Sequence, residues 1–128
     1  MQRSEKDGFK FQDVPQKWKL VAITSFWPLS SAITGDNLEW QEFYIFHPDS
    51  TFLKFRDYKD GANSQATGSF TVNDSSGETS IDLLFTTGEE LRASCSREER
   101  ISIRRNILLN GSWVPCDGPS FEYRLSED

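Results

Sequence analysis

The sequence predicts an all-β domain, an eight-stranded antiparallel up-and-down barrel, and three observations carry this prediction. Apolar and polar residues alternate with a period of two in most of the apolar segments, as they do in half-buried strands. Turn residues interrupt these segments roughly every 8–12 positions, the spacing typical of sandwiches and barrels. No long segment carries the apolar stripe of a helix. The chain of 128 residues fits one such domain.

The first predicted strand follows a polar N-terminal arm. Residues 1–16 form this arm, and residues 17–126 form the predicted barrel domain. The first strand, 18–27 (WKLVAITSFW), is rich in β-branched and aromatic residues and stops at Pro28. Residues 28–37 are rich in small and polar residues, which predicts a loop.

The next two strands form a predicted hairpin. Residues 38–46 (LEWQEFYIF) are strongly apolar and aromatic, and the stretch 47–50 turns the chain. Residues 51–58 follow, and the polar stretch 59–63 turns the chain again. Short connections of this kind pair each strand with the one before it, so they favour a meander over a Greek key.

The second half of the chain continues the alternation. In the segment 79–87, Ile81, Leu83 and Phe85 share one face and Asp82 lies on the other. The other predicted strands are 65–72, 90–96, 100–105, 106–113 and 120–125. Closing about eight strands into a barrel leaves an interior that holds side chains or one small ligand.

Charge and hydropathy argue against nonspecific nucleic-acid binding and against a membrane span. A net charge of −6 disfavours nonspecific binding to nucleic acid, whose phosphates would be repelled. The one basic run, which holds Arg97, Arg100, Arg104 and Arg105, is interleaved with acidic residues; we interpret it as a solvated hairpin edge. No apolar run approaches the roughly 18 residues that span a membrane.

The residues that could carry chemistry are few. His47 is the only histidine and follows a predicted strand end, so we interpret it as a solvated turn residue. No nucleophile, base and orienting group form a recognisable set, and no metal-ligand spacing is present. We therefore expect no catalytic residues, no metal and no cofactor. Glu98 and Glu99, as neighbours on a strand, point to opposite faces and form no acid–base pair.

Cys95 and Cys116 are the only cysteines, and they enclose a segment of about twenty residues. In an oxidising compartment a bridge over such a segment stabilises by roughly 3 kcal/mol. In the cytoplasm both would be thiols. The N-terminal arm has no apolar core of a signal peptide, so the chain is either cytoplasmic or the processed form of an exported protein.

Four motifs resemble the lipocalin-like (calycin) domains of bacterial envelope proteins, over residues 15–125. The opening KWKLVAITSFW contains Trp18, and FYIFHPDSTFLKF is similar to the family's F-x-x-D-G-T-F hairpin, with Ser50 at the glycine position. TGSFTV is like its G-x-Y-x-V strand, and CDGPSFEYRL is like its final turn and strand. Gln16 stands where the family's opening G-x-W has glycine.

The resemblance implies a cellular location, a structural contact between two side chains and a disulfide bond. The location is the cell envelope or the exterior, in a processed form whose precursor could carry a lipid anchor. The indole of Trp18 would pack under the barrel floor with the guanidinium of Arg124 across it. Export would allow Cys95 and Cys116 to form a disulfide.

The resemblance also implies a function: non-catalytic binding of a small hydrophobic or amphiphilic molecule in the barrel cavity. The wall of that cavity would be aromatic, with polar tips on three of its side chains. The expected ligand-binding residues are Trp40, Tyr44, Phe46, Phe52, Phe70, Phe85 and Tyr123. The alternative is a filled barrel that serves as a protein-interaction or inhibitor module through loops such as 28–37 and 59–63.

Overall fold

The computed structural model describes residues 15–24, 33–75, 78–95, 98–112, 114–116 and 119–126. Within them lie nine strands: β1 (Gln16–Thr24), β2 (Ile33–Thr34), β3 (Trp40–Phe46), β4 (Thr51–Tyr58), β5 (Asn63–Ser75), β6 (Glu78–Thr87), β7 (Glu98–Arg104), β8 (Ile107–Asn110) and β9 (Ser120–Ser126). Single 3₁₀ turns occupy Gly35–Asn37, Glu89–Leu91 and Val114–Cys116.

The strands close into a barrel. From β3 to β9 each strand pairs antiparallel with the next, and β1 pairs with both β3 and β9. β2 is a two-residue addition that pairs with β1 beyond the point where β3 leaves it. The predicted eight-stranded up-and-down barrel is therefore confirmed, with one extra short strand.

The two ends of the barrel differ. At one end, which we call the hairpin end, tight turns at 47–50 and 105–106 join neighbouring strands. The other end, which we call the loop end, carries the turn at 59–62 and the longer connections from β1 to β3, from β6 to β7 and from β8 to β9.

The interior is filled by side chains from alternate positions of the strands, as the pleat requires. Its buried apolar residues form one cluster: Trp18, Leu20, Leu38, Tyr44, Phe46, Phe52, Ala66, Phe70, Ile81, Leu83, Phe85, Leu91, Ala93, Ile101, Ile103, Leu108, Phe121 and Tyr123. The aromatic members contribute most of the buried area per residue.

Residues 90–95 of the predicted strand 90–96 do not belong to a strand, and residue 96 lies outside the described residues. Gly88 has a φ of 70°, and the left-handed backbone there starts a 3₁₀ turn at Glu89 in place of a continued strand. The chain then crosses the loop end, where Leu91 and Ala93 are buried against the core. Leu91 and Ala93 alternate in the sequence as strand residues do because both side chains enter the barrel from a segment that crosses its end. Of the predicted strand 106–113, β8 covers Ile107–Asn110.

Candidate functional site

Three charged side chains are almost completely buried inside the barrel. Glu42 on β3, Lys54 on β4 and Glu99 on β7 are 2%, 0% and 0% exposed. Each has the same phase as the apolar residues of its strand, so the pleat turns it inward. Buried charges are costly unless they are paired and hydrogen-bonded.

Lys54 is at the centre of this group. Its ammonium donates to Oε2 of Glu99 at 2.7 Å and to the backbone carbonyl of Leu91, also at 2.7 Å. It also lies 3.7 Å from Oε2 of Glu42 and 5.1 Å from the ring centroid of Tyr44. An ammonium has three donors, and here carboxylate and carbonyl oxygens surround it.

Glu99 accepts three hydrogen bonds in all. Besides Lys54, the Tyr44 hydroxyl donates to Oε1 at 2.6 Å, and the backbone N–H of Ala93 donates to Oε2 at 2.6 Å. The side-chain amide of Asn110 lies 3.4 Å from the Tyr44 hydroxyl and extends the network to β8. The carboxylate is therefore tied to two other strands and to the segment that crosses the loop end.

Glu42 lies near the start of β3, two positions after Trp40. Its Oε1 accepts from Nε of Arg56 at 2.8 Å and from the indole N–H of Trp40 at 3.1 Å, and its Oε2 accepts from the Tyr123 hydroxyl. The Arg56 guanidinium also lies 4.3 Å from the Trp40 ring centroid, a cation–π contact. Two carboxylates and two cations thus balance each other inside the barrel.

The pKa values of three groups follow from this environment. Burial raises the pKa of the Glu42 carboxyl, but the charges of Lys54 and Arg56 and the hydrogen bonds from Tyr123 and Arg56 outweigh burial, so the net pKa is lowered. Burial and the nearby carboxylates raise the pKa values of Tyr44 and Tyr123 well above the usual one. Glu42 is therefore held as a carboxylate and both tyrosines as neutral hydrogen-bond donors.

The seven residues expected to bind a ligand are placed on the inner face of the barrel. Six of them are at most 7% exposed: Tyr44, Phe46, Phe52, Phe70, Phe85 and Tyr123. They pack on one another, with ring centroids 4.8 Å apart for Tyr44 and Tyr123 and 5.1 Å apart for Phe52 and Phe85. Trp40 is half-buried near the loop end.

The structure places Trp18 and Arg124 on opposite faces of the sheet. Trp18 is fully buried, and its register partner on β9 is Leu125. Arg124 pairs in register with Lys19 on the outer face, and its Nε donates to Glu122 at 3.1 Å. Alternation therefore sets Leu125, and not Arg124, beside the indole.

Cys95 is disulfide-bonded. The only other cysteine in the sequence is Cys116, whose side chain lies outside the described residues. The predicted turn at Asp117 and Gly118 and the N-terminal arm up to residue 14 lie outside them too. His47 is half-buried at the end of β3, where its backbone N–H donates to Thr51. Within the described part of the chain, no three His, Cys, Asp or Glu side chains are placed to hold a metal ion.

A cavity of about 360 Å³ lies at the loop-end rim, beside Trp40 and Tyr58. These two residues are register partners at the ends of β3 and β4, with ring centroids 6.2 Å apart. The lining is completed by Leu38, Gln41, Asp57, Lys59 and Gly61. We call this cavity the rim cavity. It combines two aromatic rings and one aliphatic side chain with polar groups, a composition usual in small-molecule sites.

Sequence reasoning missed Lys54 and Glu99. From the sequence, the charged run around Glu99 is expected at a solvated hairpin edge, but β7 begins at Glu98, and Glu99 has the same inward phase as Ile101 and Ile103. Lys54 likewise has the phase of Phe52. The signal was therefore present as charge at an inward position of an alternating strand. The alternation pattern does not show that Lys54 and Glu99 meet inside the barrel.

The chain matches no family model, no curated protein and no solved structure. The lipocalin-like resemblance therefore depends on the motifs in the sequence and on the barrel itself. Within the described residues no helix is both long and apolar enough to cross a membrane.

Proposed function

We propose that this protein is a non-catalytic binding protein for a small amphiphilic molecule, which it holds at the loop-end rim. The observation that carries the proposal is the rim cavity, whose volume of about 360 Å³ is within the range of small-molecule sites. A ring or a short alkyl chain fits against Trp40, Tyr58 and Leu38. The polar end of the ligand would meet Gln41, Asp57 or Lys59 at the edge.

The contacts between side chains inside the barrel disfavour a ligand deep in its interior. The aromatic residues expected to form the wall contact one another, and the four charged groups are paired among themselves. A ligand at that depth would have to separate these groups, which costs the desolvation of each charge it leaves unpaired. The rim offers aromatic surface without that cost.

The location we propose is outside the cytoplasm. Disulfides persist in oxidising compartments and are rare in the cytosol, and Cys95 is disulfide-bonded. A binding protein for amphiphiles in the cell envelope is consistent with that chemistry.

The experiment is a fluorescence titration with two probes, 1-anilinonaphthalene-8-sulfonate and dodecanoate, followed through tryptophan emission. We expect saturable one-to-one binding to the wild type. Tyr58→Ala should weaken it about tenfold, since one aromatic contact of this kind is worth about 1 kcal/mol or more. Leu109→Ala, on the outer face, is the matched control and should leave the affinity unchanged. Equal affinity in both variants would contradict the proposal.

A second function is favoured by a different observation. Ile107 and the 45% exposed Leu109 line an outer groove of about 630 Å³ beside Arg104 and Arg105. A filled barrel with such a groove suits a protein-interaction or inhibitor module. Native mass spectrometry separates the two functions. Extra mass lost on denaturation supports a small ligand, whereas a bare chain that binds neither probe favours the interaction module.

A further inference from the structure

The segment Gly88–Cys95 crosses the loop end of the barrel and puts two side chains inside it. Leu91 and Ala93 are each 2% exposed, although their segment is not part of any strand. We call residues 88–95 the cap segment. It closes the interior above Lys54 and Glu99.

Buried charges hold the backbone of the cap segment. Lys54 donates to the carbonyl of Leu91 at 2.7 Å, and Glu99 accepts from the N–H of Ala93 at 2.6 Å. One acceptor and one donor, two residues apart, are groups that almost every extended peptide offers. The side chains add the selectivity, because a large apolar residue is buried at one position and a small one two positions later.

A loop can be fixed to a barrel without the free-energy cost of burying two charged groups. Replacing a buried ion pair with apolar side chains is often neutral or stabilising, so burying Lys54 and Glu99 is a poor way to fix a loop. A buried donor and a buried acceptor that face a peptide backbone are, in contrast, well suited to recognising a peptide. A peptide that lacked the carbonyl or the N–H would leave one of these buried charged groups short of a hydrogen bond, although Lys54 and Glu99 would still pair with each other.

The ends of the cap segment are anchored separately from its middle. Gly88 packs closely on β5, where an added Cβ would lie 2.5 Å from the carbonyl oxygen of Gln65. Cys95 is disulfide-bonded, and its N–H donates to the carbonyl of Ser112 at 3.3 Å. The inserted residues 91–93 therefore lie between two fixed points, as a tethered ligand would.

We propose that Lys54 and Glu99 form a peptide-binding site and that residues 91–93 occupy it as an internal ligand. The external ligand is an extended peptide segment that carries a large aliphatic residue and, two positions later, a small one. This site is distinct from the rim cavity and does not depend on the function proposed there. The tethered segment competes at a high effective concentration, so an external peptide binds the wild type weakly.

The test uses the full-length Leu91→Ala variant with a synthetic acetylated peptide of residues 88–95, with serine at the cysteine position. The substitution removes the buried leucine side chain, so the cap segment is held less tightly and the external peptide can displace it. We expect the peptide to bind saturably and to raise the melting temperature of the variant. A peptide with aspartate at the leucine position is the control and should not bind. The second background, Leu91→Ala with Glu99→Gln, should bind the peptide about tenfold more weakly, because a neutral amide oxygen accepts the peptide N–H less strongly than a carboxylate does.

Two results would overturn the proposal. One is a folded Leu91→Ala variant that the peptide does not stabilise even at millimolar concentration. The other is a dimer formed by exchange of the cap segment between copies, which would assign the site to a second copy of the chain.

Hydrogen exchange on the unmodified protein covers the case in which Leu91→Ala does not fold. If residues 91–93 occupy the site as a ligand does, the Ala93 amide should exchange through a local opening, at least tenfold faster than the β7 amides. Exchange of Ala93 only by global unfolding would mean that the cap segment is a fixed part of the core, and would overturn the proposal.

Discussion

Lys54 and Glu99 form an ion pair across the inside of the barrel, with 2.7 Å between Nζ and Oε2 and no exposed surface on either side chain. The two residues belong to β4 and β7, and β5 and β6 lie between these strands in the sheet. The pair therefore joins two strands that are not neighbours in the sheet. It makes the stability of the barrel depend on charge balance in its interior.

The first prediction is that Lys54→Met strongly destabilises the fold. The substitution keeps most of the side-chain volume but leaves the Glu99 carboxylate buried without its cation. Breaking a buried pair in this way costs about 3–5 kcal/mol. Urea unfolding measures this loss of unfolding free energy, and the slope of that free energy against urea concentration should be the same in both proteins. Lys19→Met, at an exposed position on β1, is the control and should change stability by no more than about 0.5 kcal/mol.

The double variant Lys54→Met with Glu99→Gln sharpens this prediction. It removes both charges, so it should be more stable than Lys54→Met alone. A double variant that is less stable than the single one would show that Glu99 acts mainly through Tyr44 and Ala93, and not through Lys54.

The second prediction concerns acid. The pKa of Glu42 is lowered in the folded protein, because Lys54, Arg56 and Tyr123 outweigh the effect of burial. Its contribution to stability is therefore complete above the unfolded pKa of about 4.3 and is lost as the pH falls through the folded value. The stability difference between wild type and Glu42→Gln, measured by urea unfolding, should shrink below about pH 4. Asp82→Asn, which breaks an exposed pair with Arg100, is the control and should show a smaller change. A difference that does not vary with pH would contradict the prediction.

The third prediction concerns alkali. Burial and nearby carboxylates raise the pKa values of Tyr44 and Tyr123 well above 10, so these two of the chain's three tyrosines stay protonated while the fold persists. Their contribution to stability is complete below the unfolded pKa and is lost as the pH rises through the folded values. Absorbance at 295 nm after a pH jump should show two tyrosines that ionise only on unfolding. The chain in guanidinium chloride, where all three should titrate near 10, is the reference.

The fold was predictable because alternation and turn spacing are local properties of the sequence. The phases of Phe52, Phe70 and Phe85 indicate which side chains face inward, and the structure buries all three. The cap segment was not predictable in this way. Leu91 and Ala93 alternate as strand residues do, and only the left-handed backbone at Gly88 shows that the chain turns across the barrel there.

The polar interior was harder to predict for a different reason. An inward charge on one strand can be recognised from its phase, but its partner depends on the stagger of the closed barrel. Lys54 and Glu99 are 45 positions apart in the chain, and no local pattern links them. The same holds for Glu42 and Tyr123, which are 81 positions apart.

The fourth prediction follows from a close approach at Gly68. A Cβ at this position would lie 2.0 Å from the Leu84 carbonyl oxygen and 2.8 Å from the Phe52 ring, next to a register shift between β5 and β6. Gly68→Ala should therefore destabilise by about 1–3 kcal/mol or more, because backbone must move. Thermal and urea unfolding measure this loss. Gly111→Ala is the matched control, since its nearest contact would be at 3.9 Å, and it should be close to neutral. Equal effects at the two positions would contradict the argument.

The fifth prediction is a stabilising substitution at Ser50. This residue has a φ of 73°, in the left-handed region that favours glycine. Its backbone is held there from both sides, because its N–H donates to His47 and its carbonyl accepts from Phe70. The Cβ costs about 1–2 kcal/mol in this conformation, and the greater freedom of glycine in the unfolded chain offsets part of the gain. Ser50→Gly should therefore raise the melting temperature by a few degrees, whereas Ser50→Ala, which keeps the Cβ, should not. If glycine lowered the melting temperature, the strain at Ser50 would have to be smaller than the entropy that glycine adds to the unfolded state.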